Sequence, residues 1–389
     1  MSEQGVAALR HGDPSVDLRV HLHPGAILDR TFLPARTKMV DDAVAPDLVA
    51  IATGRRSPVE IQGQILRARL RFGWRPLVIA HYGEIVGDPA ANEADLDRVF
   101  SFAPSGGKNT RHERYWRFPH LAAHIAAREA QRPDSLWARP KTRFCNFVAS
   151  TAHPQKNTEV REHFVRQLMA HGRVDCPGLV LNNTRGLPPN PVGDATDVAV
   201  RNAQLAKLEF LSSYRFTIAF ENTSAHGYIT EKIVHPLIAG SIPVYWGSPD
   251  VAERYNPDAF VNCHDFGSFG EVIERILEIE ADPSRLEAMR RAPMLHADSC
   301  IPELHKHLEA RWRELAEAAI SRRDLVLSPA KWLQQWTALA RRSTALACVG
   351  HRKRSPLNAL ALLLSETTGV HGVRFLKRRL ATVRRRIWR

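Results

Sequence analysis

Residues 216–250 read FTIAFENTSAHGYITEKIVHPLIAGSIPVYWGSPD. The first five, 216–220, are a short apolar run rich in strand formers and bounded by polar residues, which predicts a buried strand. Residues 222–227 are turn chemistry, since Asn, Thr, Ser and Gly bond or bend the local backbone. A helix is expected from near Tyr228 or Thr230, with Ile233, Pro236, Leu237 and Gly240 at helical spacing and Pro236 bending it. Residues 242–246 form a second apolar strand closed by Gly247, Ser248 and Pro249. The unit is strand, loop, helix, strand, and its first loop opens into a helix N-terminus. Such a terminus offers unpaired N–H groups and the positive end of a dipole, a seat for phosphate. Glu231 and Lys232 stand in the first turn, so a carboxylate and a cation flank that seat. Periodicity alone leaves a plainer reading open, a capped helix start with a solvated ion pair.

Working outward, the same alternation recurs. Strands are expected at 18–22, 47–52, 77–80 and 99–102, with a helix at 57–72 carrying Ile61, Ile65, Ala68 and Phe72 at helical spacing. Residues 132–141, rich in Arg and Pro, read as a linker. Beyond it come a strand at 144–150, a helix at 158–170 with Val160, Phe164, Val165 and Leu168 inward, a loop at 182–197 and a helix at 205–214. After residue 250 a short strand at 261–264 is followed by helical segments around 273–277, 286–289 and 304–318, the last able to cross back onto the first half. Two alternating halves imply an α/β protein of two facing Rossmann-like domains. The boundaries fall at 1–140, 141–345 and 346–389, the last being a basic tail.

With 389 residues, 44% hydrophobic and 24% charged, the chain is long enough for two full cores and ordinary for a globular protein. Its five cysteines are an odd number without a CxxC pair, which favours reduced, structural thiols. The opening MSEQGVAALRHGD lacks an apolar core, so no secretory signal is expected, and no run of ~18 apolar residues spans a bilayer. These features predict a cytoplasmic protein. Two motif-like stretches are set aside. Residues 105–110, SGGKNT, have Phe102 and Asn109 where a phosphate loop needs Gly and Ser or Thr. Asp95-Leu96-Asp97 fits a metal-binding pattern but precedes a strand, where a surface loop is the expectation.

The segments FENTSAHGYITEKI (220–233) and SIPVYWGSPDVAERYNPDAFVNCHDF (241–266) resemble the donor-binding motif of the α-1,3-fucosyltransferases, glycosyltransferase family 10, above all the bacterial members. A weaker likeness extends to FCNFVAST (144–151), YWRFP (115–119) and VIAHYGE (78–84). The resemblance implies a GT-B fold, with the acceptor on the first domain and the nucleotide sugar on the second. It implies an inverting enzyme that moves L-fucose from GDP-L-fucose to a glycan hydroxyl, an α-1,3 linkage to an N-acetylglucosamine-containing acceptor being the family expectation. No cofactor and no metal is expected. By the same likeness Arg161 and Lys232 hold the diphosphate, Asn222 and Tyr228 contact the donor, and Glu231 meets the fucose ring. Arg166 lies near enough to Arg161, and Tyr228 is apolar enough to pack, that plainer roles stay open. Glu84 is the proton acceptor by resemblance. The family continues with Asn and then Pro, whereas Ile85-Val86-Gly87-Asp88-Pro89 follows here, so Asp88 is the reserve candidate.

Of the net charge of +13, residues 351–389 carry +10, eleven Lys or Arg against Glu366. Val373, Leu376, Leu380, Val383 and Ile387 recur at spacings of three and four among arginines, with Trp388 near the end. This is a basic amphipathic helix suited to an anionic bilayer surface. Nucleic-acid contact or an arm packed on the cleft stays open. The near-neutral body argues against a nucleic-acid-binding function, which needs a basic face on the folded domains. Transfer of a different sugar from another nucleotide is the alternative within the same fold.

Overall fold

The computed structural model describes residues 18–23, 33, 36–41, 44–51, 58–81, 95–101, 109–111, 121–149, 158–185, 187, 197–299 and 301–349. In chain order the elements are β1 (Arg19–Leu22), β2 (Lys38–Met39), β3 (Leu48–Ile51), α1 (Pro58–Phe72), β4 (Leu77–His81), β5 (Arg98–Ser101) and β6 (Asn109–Arg111). There follow α2 (Ala122–Glu129), β7 (Arg143–Phe147), α3 (Thr158–Met169), β8 (Val174–Asp175), α4 (Asp197–Leu211) and β9 (Tyr214–Phe220). The chain continues through α5 (Glu231–Ala239), β10 (Ile242–Trp246), β11 (Val261–Asn262), α6 (Phe269–Ala281), α7 (Pro283–Arg291), α8 (Ile301–Ser321) and α9 (Pro329–Val349).

The described residues fall into two units, one within Glu113–His307 and one within His11–His112 together with those from Leu308 onward. The second of these is built on a parallel sheet of order β2-β1-β3-β4-β5-β6. A parallel sheet is covered on both faces, so its strands read as unbroken apolar runs such as LVAI in β3. Side chains alternate across the strand. Leu48, Ala50, Leu77 and Ile79 pack with Trp312, Leu315 and Ala319 of α8. Val49, Ile51, Val78 and Ala80 pack with Ile61 and Ile65 of α1 and Leu339 of α9. Phe100 stacks on Trp312 with ring centroids 4.4 Å apart. The closing helices therefore return to the N-terminal sheet, as their position in the sequence allowed.

The unit within Glu113–His307 has a parallel sheet of order β11-β10-β9-β7-β8. Phe216, Ile218 and Phe220 of β9 enter one core with Phe147, Phe164 of α3 and Ile273 of α6. Ala219 enters the other with Ile233 and Leu237 of α5. The three described cysteines with free thiols, Cys145, Cys176 and Cys263, are all buried, and burial pushes each thiol up, Cys176 to about 11.

Several expectations need correction. Residues 132–141 are no linker, because Leu136 and Trp137 are buried and Trp137 donates to the Arg290 carbonyl at 3.0 Å. The division falls at His112 and Glu113 and again at His307 and Leu308, inside α8. Asp95 and Asp97 are no loose surface loop. Asp95 accepts from Gln62 and Arg342, and Asp97 from Arg69, Arg322 and the Val78 amide. These carboxylates neutralise arginines from α1, from the turn that follows α8 and from α9. The helix expected at 205–214 starts earlier and stops at Leu211, with Tyr214 already in β9. Glu84, Asp88, residues 105–108 and 115–119 and the tail at 373–389 lie outside the described residues. Among the described residues no helix is long and apolar enough to cross a membrane.

Candidate active site

In the sheet within Glu113–His307 the order of strands reverses between β7 and β9. In a doubly wound sheet the connections leaving such a pair depart to opposite faces and open a crevice beyond their carboxyl ends, where ligands bind. A cavity lies at that place. Phe147 of β7 and Ile218 and Phe220 of β9 line it, and three cations face it, Arg161 of α3, Lys207 of α4 and Lys232 of α5.

Each cation is set by its helix. Phe164, Val165 and Leu168 make the buried stripe of α3, and Arg161 is three and four residues before the first two. Its stem therefore runs with the apolar face and its head emerges at the helix start. Only 5% exposed, Arg161 donates from Nη1 to Asn222 Oδ1 at 3.0 Å. Two of the residues singled out from the sequence are thus in direct contact. On α4 the buried Leu208 and Leu211 fix the inward face, and Lys207, one turn before Leu211, points its half-buried chain into the cavity.

Lys232 sits in the first turn of α5, whose N-cap is Thr230. Its ammonium donates to Glu221 Oε2 at 2.9 Å. Glu221, the first residue after β9, is fully buried and also accepts from the Thr230 amide at 2.7 Å and from Thr230 Oγ1 at 2.8 Å. Burial pushes its carboxyl above the ordinary range, opposed by Lys232. Gly247 makes room for it, since a Cβ there would stand 2.5 Å from Glu221 Cγ. Glu231 is half-buried beside Lys232, and its charge favours the charged form of Lys207. Three cations against two carboxylates leave one net positive charge, which suits an anion.

Comparisons with known proteins bear on the same part of the chain. Residues 138–289 match the model of the C-terminal part of glycosyltransferase family 10 (fucosyltransferase). The chain is 41% identical over 136 residues to the α-(1,3)-fucosyltransferase FucT of Helicobacter pylori, covering 35% of this chain and 24% of that protein. It is 37% identical over 127 residues to α-(1,3)-fucosyltransferase B of Drosophila melanogaster, covering 32% and 28%. The chain thus spans about a quarter of the length of these curated relatives. A crystal structure of an α1,3-fucosyltransferase superposes with a TM-score of 0.57 at 23% identity, covering 79% of this chain and 92% of that one. A crystal structure of an α1,3-fucosyltransferase with GDP gives 0.55 at 23%, covering 79% and 93%. The fold is that of the GT-B fucosyltransferases.

Within the matched residues, Arg161, Asn222, Glu231 and Lys232 gather around the end of β9. Of these, Arg161 and Lys232 line the cavity, whereas Asn222 and Glu231 stand beside them. Tyr228 is fully buried and its carbonyl accepts from Tyr245 Oη at 3.4 Å. The amides expected to cradle phosphate are engaged within the loop. Gly227 donates to Ser248 Oγ and Asp250, Tyr228 to Ala225, Ile229 to Gly227 and Thr230 to Glu221. A buried loop must satisfy its own donors, so the positive charge facing the cavity comes from side chains. Sequence reasoning missed Glu221 and Lys207. The signal for Glu221 was its place as the first polar residue after an apolar strand; Lys207 had only its position one turn before Leu211.

Proposed function

We propose that this protein is an inverting fucosyltransferase that transfers L-fucose from GDP-L-fucose to a glycan hydroxyl, forming an α-1,3 linkage to an N-acetylglucosamine-containing acceptor. The observation that carries this is the set of Arg161, Lys207 and Lys232 around one cavity at the switch point of the sheet within the residues that match family 10. Sugar transfer from a nucleotide diphosphate needs charge neutralisation at the leaving group, stabilisation at the anomeric carbon and a base for the acceptor.

In this reading Arg161 and Lys232 hold the departing diphosphate, so that side-chain cations supply what a metal does elsewhere. Asn222, fixed by Arg161, orients the donor. Glu231 faces the fucose ring and stabilises an oxocarbenium-like transition state. Glu84 takes the acceptor proton as the hydroxyl attacks opposite the diphosphate.

The test is incubation with GDP-fucose and a panel of lactosamine-type and chitobiose-type acceptors, with the new linkage located by NMR. Transfer is expected to persist in EDTA. In the same assay Glu84→Gln is expected to lower turnover roughly 10²–10⁴-fold, the contribution of a positioned base, while GDP affinity stays near that of the parent. Absence of transfer to every acceptor, or parental turnover in Glu84→Gln, would remove the activity or the base respectively.

A further inference from the structure

We propose that Lys207 is a third cationic ligand of the diphosphate, closing around its phosphoryl oxygens together with Arg161 and Lys232. This rests on the reading of the cavity as a nucleotide-diphosphate site.

The three cations lining the cavity are not equivalent. Arg161 is tied to Asn222 and Lys232 to Glu221. Among the described residues Lys207 has no hydrogen-bond or ion-pair partner, although its chain is half-buried and lines the same cavity. Drawing an ammonium partly out of water without a hydrogen-bond partner disfavours its charged form. Burial accordingly pulls Lys207 below the ordinary lysine range, and Glu231 restores part of the charge. Glu221 is already satisfied by Thr230 and Lys232, and Glu231 acts on Lys207 through its charge alone, without a hydrogen bond to it. The missing partner is therefore an anion that enters the cavity. A diphosphate has the right chemistry, because its oxygens accept from several donors at once and its charge exceeds what two cations neutralise. Arginine and lysine also differ in kind here: Arg161 presents a planar fork, whereas Lys207 is a compact point charge on a flexible stem that can follow the leaving group.

Calorimetry with the full chain tests this, using GDP, guanosine and inorganic pyrophosphate as probes. Lys207→Met is expected to weaken GDP and pyrophosphate roughly 10- to 100-fold, the equivalent of one charge-assisted hydrogen bond. Guanosine, which lacks phosphate, should bind within about twofold of the parent, and Lys207→Arg should restore most of the loss. A merely structural lysine would move guanosine and GDP together. If the parent binds GDP and Lys207→Met binds it equally well, the inference fails while the fucosyltransferase reading stands. If the parent ignores GDP yet binds pyrophosphate through Lys207, the nucleotide reading fails and the cation assignment stands. Binding of neither ligand overturns both. Should Lys207→Met not fold, acylation of the native chain read by mass spectrometry decides instead. Protection of Lys207 by pyrophosphate supports the assignment, and unchanged labelling overturns it.

Discussion

Glu221 and Lys232 form a pair whose two members answer to different demands. Glu221 is fully buried, while Lys232 keeps 21% of its side chain exposed. Breaking a buried pair by removing one partner costs more than the pair itself contributes, because a desolvated charge is left behind. Lys232→Ala is therefore expected to lower unfolding stability by about 3 kcal/mol, the low end of the range for such pairs. The double variant Glu221→Gln, Lys232→Met removes the stranded charge and should regain at least half of that loss. GDP affinity is expected to fall by about 1.5–3 kcal/mol in both, since the phosphate contact is gone in each. Urea denaturation and calorimetry separate the two effects. A double variant no more stable than Lys232→Ala would show that Glu221 is not held by this lysine.

At the scale of elements, α5 shows what the sequence could and could not say. Its start at Thr230 and the following strand β10 were legible, because a Thr cap, a turn of Asn, Thr, Ser and Gly and an apolar run of strand formers are local signals. The reason for its end was not. Gly240 adopts φ of 73°, and a Cβ there would stand 2.6 Å from the Trp137 carbonyl oxygen, in a segment that read as a linker. Gly240→Ala is expected to cost about 2 kcal/mol or more, combining left-handed backbone strain with a clash against main chain that cannot swing aside. A shift in the denaturation midpoint of less than a few tenths of a kcal/mol would contradict it. Similar long-range causes hid other elements. β2 and β8 have two residues each, and β6 is Asn-Thr-Arg, with no apolar run to mark it. Helix α9 exposes Trp332 and Leu333 at 51% and 61%, which blurs the apolar stripe that periodicity relies on. Lys207 and Glu221 had only weak local signals for the same reason, since their role depends on helices and strands converging at one place.

For the molecule as a whole, the two units share one wiring, with the first strand between the second and third in each sheet, and each carries a carboxylate that makes it sensitive to acid. In one unit Asp47 accepts from the Arg19 amide and guanidinium and from Arg323 at 2.7 Å, tying the turn after α8 to the sheet, and its pKa is lowered to about 2 against the cost of burial. In the other, Asp250 accepts from the Gly227 amide, Ser248 and Arg254, fixing the loop before α5, and its pKa is also lowered to about 2. A carboxylate depressed in the folded state binds its proton later than the unfolded chain does. The stability it contributes is complete above the ordinary aspartate value near 4 and is lost as pH falls through about 2. Each shift corresponds to on the order of 2 kcal/mol. Rising net charge from a chain already at +13 adds repulsion over the same window, so the comparison must be made against variants. Denaturant unfolding at pH 7, 4, 3 and 2 should show the parent losing stability steeply below pH 4. Asp47→Asn and Asp250→Asn should each start lower at pH 7 and lose about 2 kcal/mol less on acidification. Equal acid slopes for parent and Asp47→Asn would mean that the Arg19–Asp47–Arg323 clamp does not hold the returning helix to its sheet.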